Sequence, residues 1–418
     1  MEKFVYALSL LSPFLYPSLM SLMGNNEVYE VDEHNTKMIV FIALTGFCAV
    51  AYTLNRFRSY FRRVHPFFYF LPLILTVVFL VEDLFMSGAV HDRAYKAFII
   101  FWAYSAPASF IGANLAYKDC LGDVFKYIHL ITVFISLGVI VSIPKSLSAG
   151  QVVLGGTQYQ EISYISAFCA GVLLFTVLFK PNYIFSFFQN KSFRLFEIAL
   201  LILVALNVFL SGGRGGALLL IVNVILLFFV YIKKNSLISK GVLTFVVGAL
   251  LVIPIGASII NNNEELSTLF EYGVDRAFSY VSDSGGLDMT QTSNRDIHYK
   301  WAIERIRENP FGYGFFRSYG LFVYPHNFFL EILLDGGIAY FSFWLFLILF
   351  FFVKLYKLLK NNSNLWCLIP LLSYPVVLLT FSSTYKHNCM FWFCLSYVLS
   401  YILKNTHDSL VSDYPPSH

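Results

Sequence analysis

Charge is scarce in this chain: Asp, Glu, Lys and Arg make up 13% of its 418 residues, against 57% hydrophobic residues and a mean hydropathy of +0.66. One water-soluble core cannot bury so large an apolar excess, which excludes an ordinary soluble globular domain. Cysteine is sparse as well. Cys48, Cys120, Cys169, Cys367, Cys389 and Cys394 show no metal-ligand spacing, and most fall in or beside apolar runs, where a thiol acts as a small hydrophobe. No two histidines stand at ligand spacing, and the chain lacks a Walker loop, a G-x-S-x-G elbow and a dinucleotide fingerprint. No metal, cofactor or nucleic-acid partner is therefore expected.

What the sequence has in abundance is apolar length and aromatic rings, with 45 Phe and 27 Tyr. These suit lipid-facing helices whose aromatic ends sit at headgroup level, so the expected class is an all-α polytopic membrane protein with the lipid bilayer as its solvent. A span needs about 20 apolar residues. Twelve candidates centre on 4–23, 38–54, 67–86, 97–116, 126–143, 162–179, 195–211, 217–232, 241–260, 335–354, 365–381 and 389–403. The first, in "MEKFVYALSLLSPFLYPSLMSLM", lacks a small-x-small cleavage site and reads as an uncleaved span. With twelve spans, one side holds Arg56, Arg58, Arg62 and Arg63, then Lys180, Lys191 and Arg194, then Lys233, Lys234 and Lys240, then Lys354, Lys357 and Lys360. The positive-inside rule makes that side cytoplasmic, together with both termini.

No internal repeat or second domain is visible, and residues 1–418 read as one integral membrane domain. The opposite, outer side carries most carboxylates and one long loop, 261–331, between the ninth and tenth spans. Loops of that length usually carry function or structure of their own. Its second half reads as a short amphipathic helix: Ser293 or Asn294 as cap, Ile297, Trp301, Ala302 and Ile306 at helical spacing, and "ENPFGYG" as the stop.

Three outer-side stretches could carry chemistry. In "SGGRGGALLL" (211–220), Arg214 stands among glycines where the seventh span ends and the eighth begins. Bare amides at a helix start, glycines that admit a ligand to the backbone, and a guanidinium together suit a phosphate-type anion. The plain alternative is a tight turn whose arginine snorkels to headgroups, although a guanidinium at membrane depth costs on the order of 3 kcal/mol. Arg295 falls in the first turn of the loop helix, where the helix dipole disfavours a cation unless an anion binds alongside; Asp296 pairing with it is the alternative. Arg305 and Arg317 follow on the same loop, and a solvated face explains them equally well. In "YPHNFFLEILLDGG", Pro325 would present His326 at the membrane boundary, with Asn327 beside it.

These three stretches, in this order and on one side, resemble the O-antigen ligase and polymerase superfamily over roughly 206–345. The resemblance implies a GT-C-like, metal-independent, inverting glycosyltransferase of the bacterial inner membrane, with its active site facing the periplasm. Its donor would be an undecaprenyl-diphosphate-linked oligosaccharide, and its partners a chain-length regulator and a flippase. It implies that Arg214 and Arg295 contact the donor diphosphate and that His326 supports catalysis, as base or as donor to the leaving group. Gly213 and Gly215, with Arg305, Arg317 and Asn327, are the remaining substrate-binding candidates. Gly213 stands where the family more often has serine. A polymerase, which adds the glycan to another lipid-linked repeat unit, is preferred to a ligase acting on lipid A core, because outer basic clusters are few. A transporter or lipid-linked glycan flippase would show two related halves and midspan charges, and here the halves differ.

Overall fold

A computed structural model describes residues 1–25, 31–55, 67–85, 92–149, 152–157, 159–235, 262–278, 295–316 and 325–412. Thirteen α-helices run through them: α1 (Glu2–Leu22), α2 (Val31–Asn55), α3 (Phe67–Phe85), α4 (Asp92–Lys118), α5 (Leu121–Ala149), α6 (Tyr159–Phe179), α7 (Lys191–Leu210), α8 (Arg214–Asn235), α9 (Glu264–Phe278), α10 (Arg295–Glu308), α11 (Phe328–Asn361), α12 (Leu368–Phe381) and α13 (Cys389–Ser412). Among the described residues, nine helical stretches are long and apolar enough to cross a membrane. The chain is a multi-pass membrane protein, and its described residues form helices and no strands. Of the twelve expected spans, nine coincide with these stretches. The third forms α3 and the twelfth α13, whereas 241–260 lies outside the described residues.

Helices packed in lipid cannot rely on excluding water from one another and are held by close fit and polar contacts between neighbours. Two pairings make the frame, α1 along α5 and α4 along α13, with α6 wedged between α7 and α8. Buried polar groups join them. Asn114 Nδ2 donates to Tyr6 Oη at 2.6 Å, Ser109 and Ser396 share a 2.7 Å hydroxyl contact, and His129 Nε2 lies 2.6 Å from Glu197 Oε1 with both side chains buried. At one end of this frame Lys3 pairs with Asp123, Glu2 with Lys118, and Lys404 Nζ donates to Tyr117 O at 2.9 Å. The first turn of α1 and the later part of α13 thus meet where α4 ends and α5 starts. The other end of α5 lies about 40 Å away at 1.5 Å per residue, and there the chain turns into α6.

Helix α11 is broken. Gly336 and Gly337 leave helical geometry, Gly337 at φ +65°, so Phe328–Asp335 forms a separate two-turn segment ahead of the long apolar part. A Cβ on Gly337 would fall 2.1 Å from Pro310 O, so both backbone angle and space demand glycine there. The break receives the turn that follows α10. Tyr313 N donates to Leu334 O at 2.7 Å, Gly314 N to Asp335 O at 2.8 Å and Ile338 N to Pro310 O at 3.1 Å. "ENPFGYG" and "LLDGG" therefore interlock, with Phe315 and Phe316 buried beneath them.

Candidate active site

The pocket begins with a turn. Asn207 and Val208 carbonyls in the last turn of α7 accept from Ser211 Oγ at 2.8 and 3.0 Å, Gly212 takes φ +62°, and α8 starts at Arg214. The glycines around Arg214 are filled against neighbouring helices. A Cβ on Gly215 would sit 1.7 Å from Tyr164 Oη, and one on Gly213 2.3 Å from Ser163 Cβ. The expectation that these glycines open the backbone to a ligand is thus revised: their first service is to let α8 lie against α6, although Gly213 and Gly215 also line the pocket. Ser163 Oγ fixes the turn by donating to Gly213 O at 2.9 Å.

Helix α9 brings a second arginine to this turn. Gly273 lets it press on the end of α7, since a Cβ there would lie 2.0 Å from Phe209 O. Arg276 then stacks its guanidinium 3.9 Å from the Tyr159 ring centroid, donates from Nη2 to Tyr159 Oη at 2.5 Å, and donates from Nη1 to Tyr272 Oη at 3.1 Å. Arg214 Nε donates to the backbone carbonyl of Arg276 at 3.1 Å. Arg295, the first residue of α10, donates from Nη2 to Ser382 Oγ at 3.4 Å, where α12 ends. Arg214, Arg276 and Arg295, with Tyr159, Tyr164 and Ser382, line one small cavity.

Histidine 326 is joined to the cavity through Ser382, whose side chain meets Arg295 and whose carbonyl lies 3.2 Å from His326 Nδ1. A carbonyl only accepts, so Nδ1 carries the proton and Nε2 is the nitrogen able to take one. His326 sits at φ +52°, a conformation costly for a residue with a side chain and characteristic of functional positions. Burial lowers its pKa from the ordinary value, and Arg295 and His298 push the same way, while the Ser382 contact opposes them. Its ring centroid is 6.1 Å from that of His298.

The other expected residues separate from this group. Asn327 caps α11, its Oδ1 accepting from the amides of Phe329 at 3.0 Å and Leu330 at 3.2 Å. Arg305 pairs with Glu308 at 2.5 Å on an exposed face of α10 and does not line the cavity. Arg317 lies outside the described residues. Sequence reasoning missed Arg276, Tyr159 and Ser382. Arg276 could have been noticed as an outer-side arginine four residues after Tyr272, and Ser382 as the start of the polar break "SSTYKHN" between two apolar runs. Among the described residues, no group of three or more His, Cys, Asp or Glu side chains could hold a metal ion.

Residues 199–345 match the family described as O-antigen ligase. Over that third of its length the chain is similar to the O-antigen ligase family. The match starts within α7 and ends within α11, so it holds all three cavity arginines and His326, while Tyr159 and Ser382 lie outside it. No curated protein and no solved structure matches the chain.

Proposed function

We propose that this chain belongs to the O-antigen ligase and polymerase superfamily and is an O-antigen polymerase. It moves a glycan from undecaprenyl diphosphate to a hydroxyl of another lipid-linked repeat unit. The observation that carries the reading is the convergence of Arg214 and Arg295, far apart in sequence, on one cavity that Arg276 also lines. In the reaction the acceptor oxygen bonds to the anomeric carbon, the bond from that carbon to the diphosphate breaks, and the diphosphate leaves with the electron pair. Guanidinium groups set where that charge develops stabilise the transition state, each such contact being worth roughly 3 kcal/mol. The acceptor's proton goes to His326 Nε2. The lowered basicity of His326 keeps its imidazole neutral near pH 7, as a base requires. Attack opposite the leaving group inverts the anomeric centre.

The orientation follows from charge. The positive-inside rule puts the loops rich in Lys and Arg on the cytoplasmic side, and on that topology the cavity would face the periplasm of a bacterial inner membrane. The ligase reading, transfer to lipid A core, draws support from the description of the matching family. A deletion strain separates the two on a lipopolysaccharide gel. Core bearing a single repeat supports polymerase, core bearing none supports ligase, and normal banding rejects both. Complementation with Arg214→Gln and Arg295→Gln at matched protein levels then tests the cavity, and persistence of long chains would refute the diphosphate assignment.

A further inference from the structure

Beneath the cavity lies a buried ionic clasp that the reaction as described does not use. Lys386 Nζ lies 2.8 Å from Asp335 Oδ1 and 3.4 Å from Glu331 Oε1, Tyr385 Oη donates to Asp335 Oδ2 at 2.6 Å, and the Thr384 hydroxyl donates to Glu331 Oε1. All five residues are shut away from solvent. The Lys386 ammonium also faces the Phe315 ring at 5.5 Å, and its backbone carbonyl accepts from Ser105 Oγ at 2.6 Å. Burying one ammonium and two carboxylates costs several kcal/mol per ion before pairing, and apolar residues could fill the same space at least as stably. Stability alone is thus a poor reason for the cluster.

Its connections supply a better one. The clasp joins three segments, each of which ends in a group of the site. Four residues before Lys386 is Ser382, which meets both Arg295 and His326. Five residues before Glu331 is His326, with the Asn327 cap between them. The turn whose Gly314 amide donates to Asp335 O continues the helix that Arg295 begins. Arg214 and Arg276 stand on α8 and α9, which contribute no residue to the clasp. We propose that Lys386 is a positioning residue: by drawing Asp335 and Glu331 to the 384–386 turn, it sets Ser382, and through Ser382 the placing of Arg295 and His326, while Arg214 and Arg276 hold the donor independently of it.

This proposal rests on the transfer reading above, so the experiment carries a readout for each. Purified full-length protein is assayed with lipid-linked repeat donor, and binding of inorganic diphosphate is measured by calorimetry. Lys386→Met is expected to lower kcat by about tenfold or more with KM for the donor little changed, and Lys386→Arg to recover part of that loss. In the Lys386→Met background, Arg295→Gln should cost far less than it costs alone, whereas Arg214→Gln should cost its full factor. If Lys386→Met does not accumulate, the triple variant Lys386→Met, Asp335→Asn, Glu331→Gln leaves no buried charge unpaired and is put through the same cycles. Equal coupling to both arginines, or coupling to neither, overturns the clasp. Failure of the wild-type protein to bind diphosphate, with Arg214→Gln still active, instead overturns the transfer reading.

Discussion

Replacing Arg276 tests the site at the residue that only the structure revealed. Its guanidinium is fixed by neutral groups, stacked on Tyr159 and bonded to two phenol oxygens, so its positive charge is held in place without being cancelled by those partners. On the proposed function, Arg276→Ala removes one contact to the leaving diphosphate, about 3 kcal/mol in the transition state, which is roughly a hundredfold in kcat/KM at tenfold per 1.4 kcal/mol. Arg214 bonds the backbone carbonyl of Arg276, not its side chain, so the loss should stay local. Arg276→Lys keeps the charge but gives up the planar stack and the fork of donors, and about a tenfold loss is expected, between that of alanine and none. Tyr159→Phe keeps the ring and removes one hydrogen bond, worth about 1 kcal/mol. The assay is the initial rate of glycan transfer from lipid-linked donor by purified variants at equal concentration. Wild-type rates for Arg276→Ala, or an order in which lysine is worse than alanine, would refute the reasoning.

Three further outcomes follow from the same geometry. Gly215→Ala places a methyl group 1.7 Å from Tyr164 Oη; overpacking of this kind costs about 1–3 kcal/mol, so thermal stability in detergent should fall, and Tyr164→Ala in the same chain should restore part of it. Asn327→Ala should cost about 1 kcal/mol of stability through the lost cap, and Asn327→Ser, which can still cap, should keep both stability and rate; loss of rate in Asn327→Ser with stability intact would return Asn327 to substrate binding. For His326 the folded pKa lies below the ordinary 6.5, so the neutral base persists below that pH and the acidic limb of kcat/KM should fall beneath it. The stability tied to this group is present above 6.5 and is lost as pH drops from there through the folded value, because the unfolded chain takes up the proton first. Arg295→Gln removes a neighbouring cation, so the acidic limb of the residual rate should move upward, and a limb that stays put separates the two residues.

The membrane architecture was legible because it rests on composition and run length, which survive without coordinates: nine of the twelve expected spans coincide with helical stretches. The start of α10 at Arg295 was also legible, from the polar stretch before "DIHYKWAIERI" and the stop at Asn309 and Pro310. Its apolar stripe was less regular than the spacing suggested, since Ala302 is buried while Ile297 is exposed. What sequence could not supply was direction. "SGGRGG" reads equally as a mouth for a ligand or as a seam between helices, and only the position of Tyr164 decides in favour of the seam at Gly215. Nothing in the sequence links Asp335 to Lys386, which stands 51 residues later on another segment. Arg276 was one outer arginine among several until α9 was seen to press on the end of α7.

A division of labour between glycine and arginine follows. Gly213 and Gly215 make room for the Ser163 and Tyr164 side chains and Gly273 for the backbone of Phe209, and that closeness fixes where α8 and α9 lie. Arg214 and Arg276 then need only short reaches to meet, one through Nε and the other through its own carbonyl. Arg295 arrives from a different direction, anchored on Ser382, and so does the neighbouring His326. Three guanidinium groups, oriented by a carbonyl, two phenols and a serine hydroxyl, thus line one cavity. On the function proposed above, the two phosphoryl groups of the donor would bridge them. Since the two sides of the cavity are built by separate packing devices, a donor can be held by Arg214 and Arg276 while Arg295 and His326 are set, through Ser382, for the transfer step.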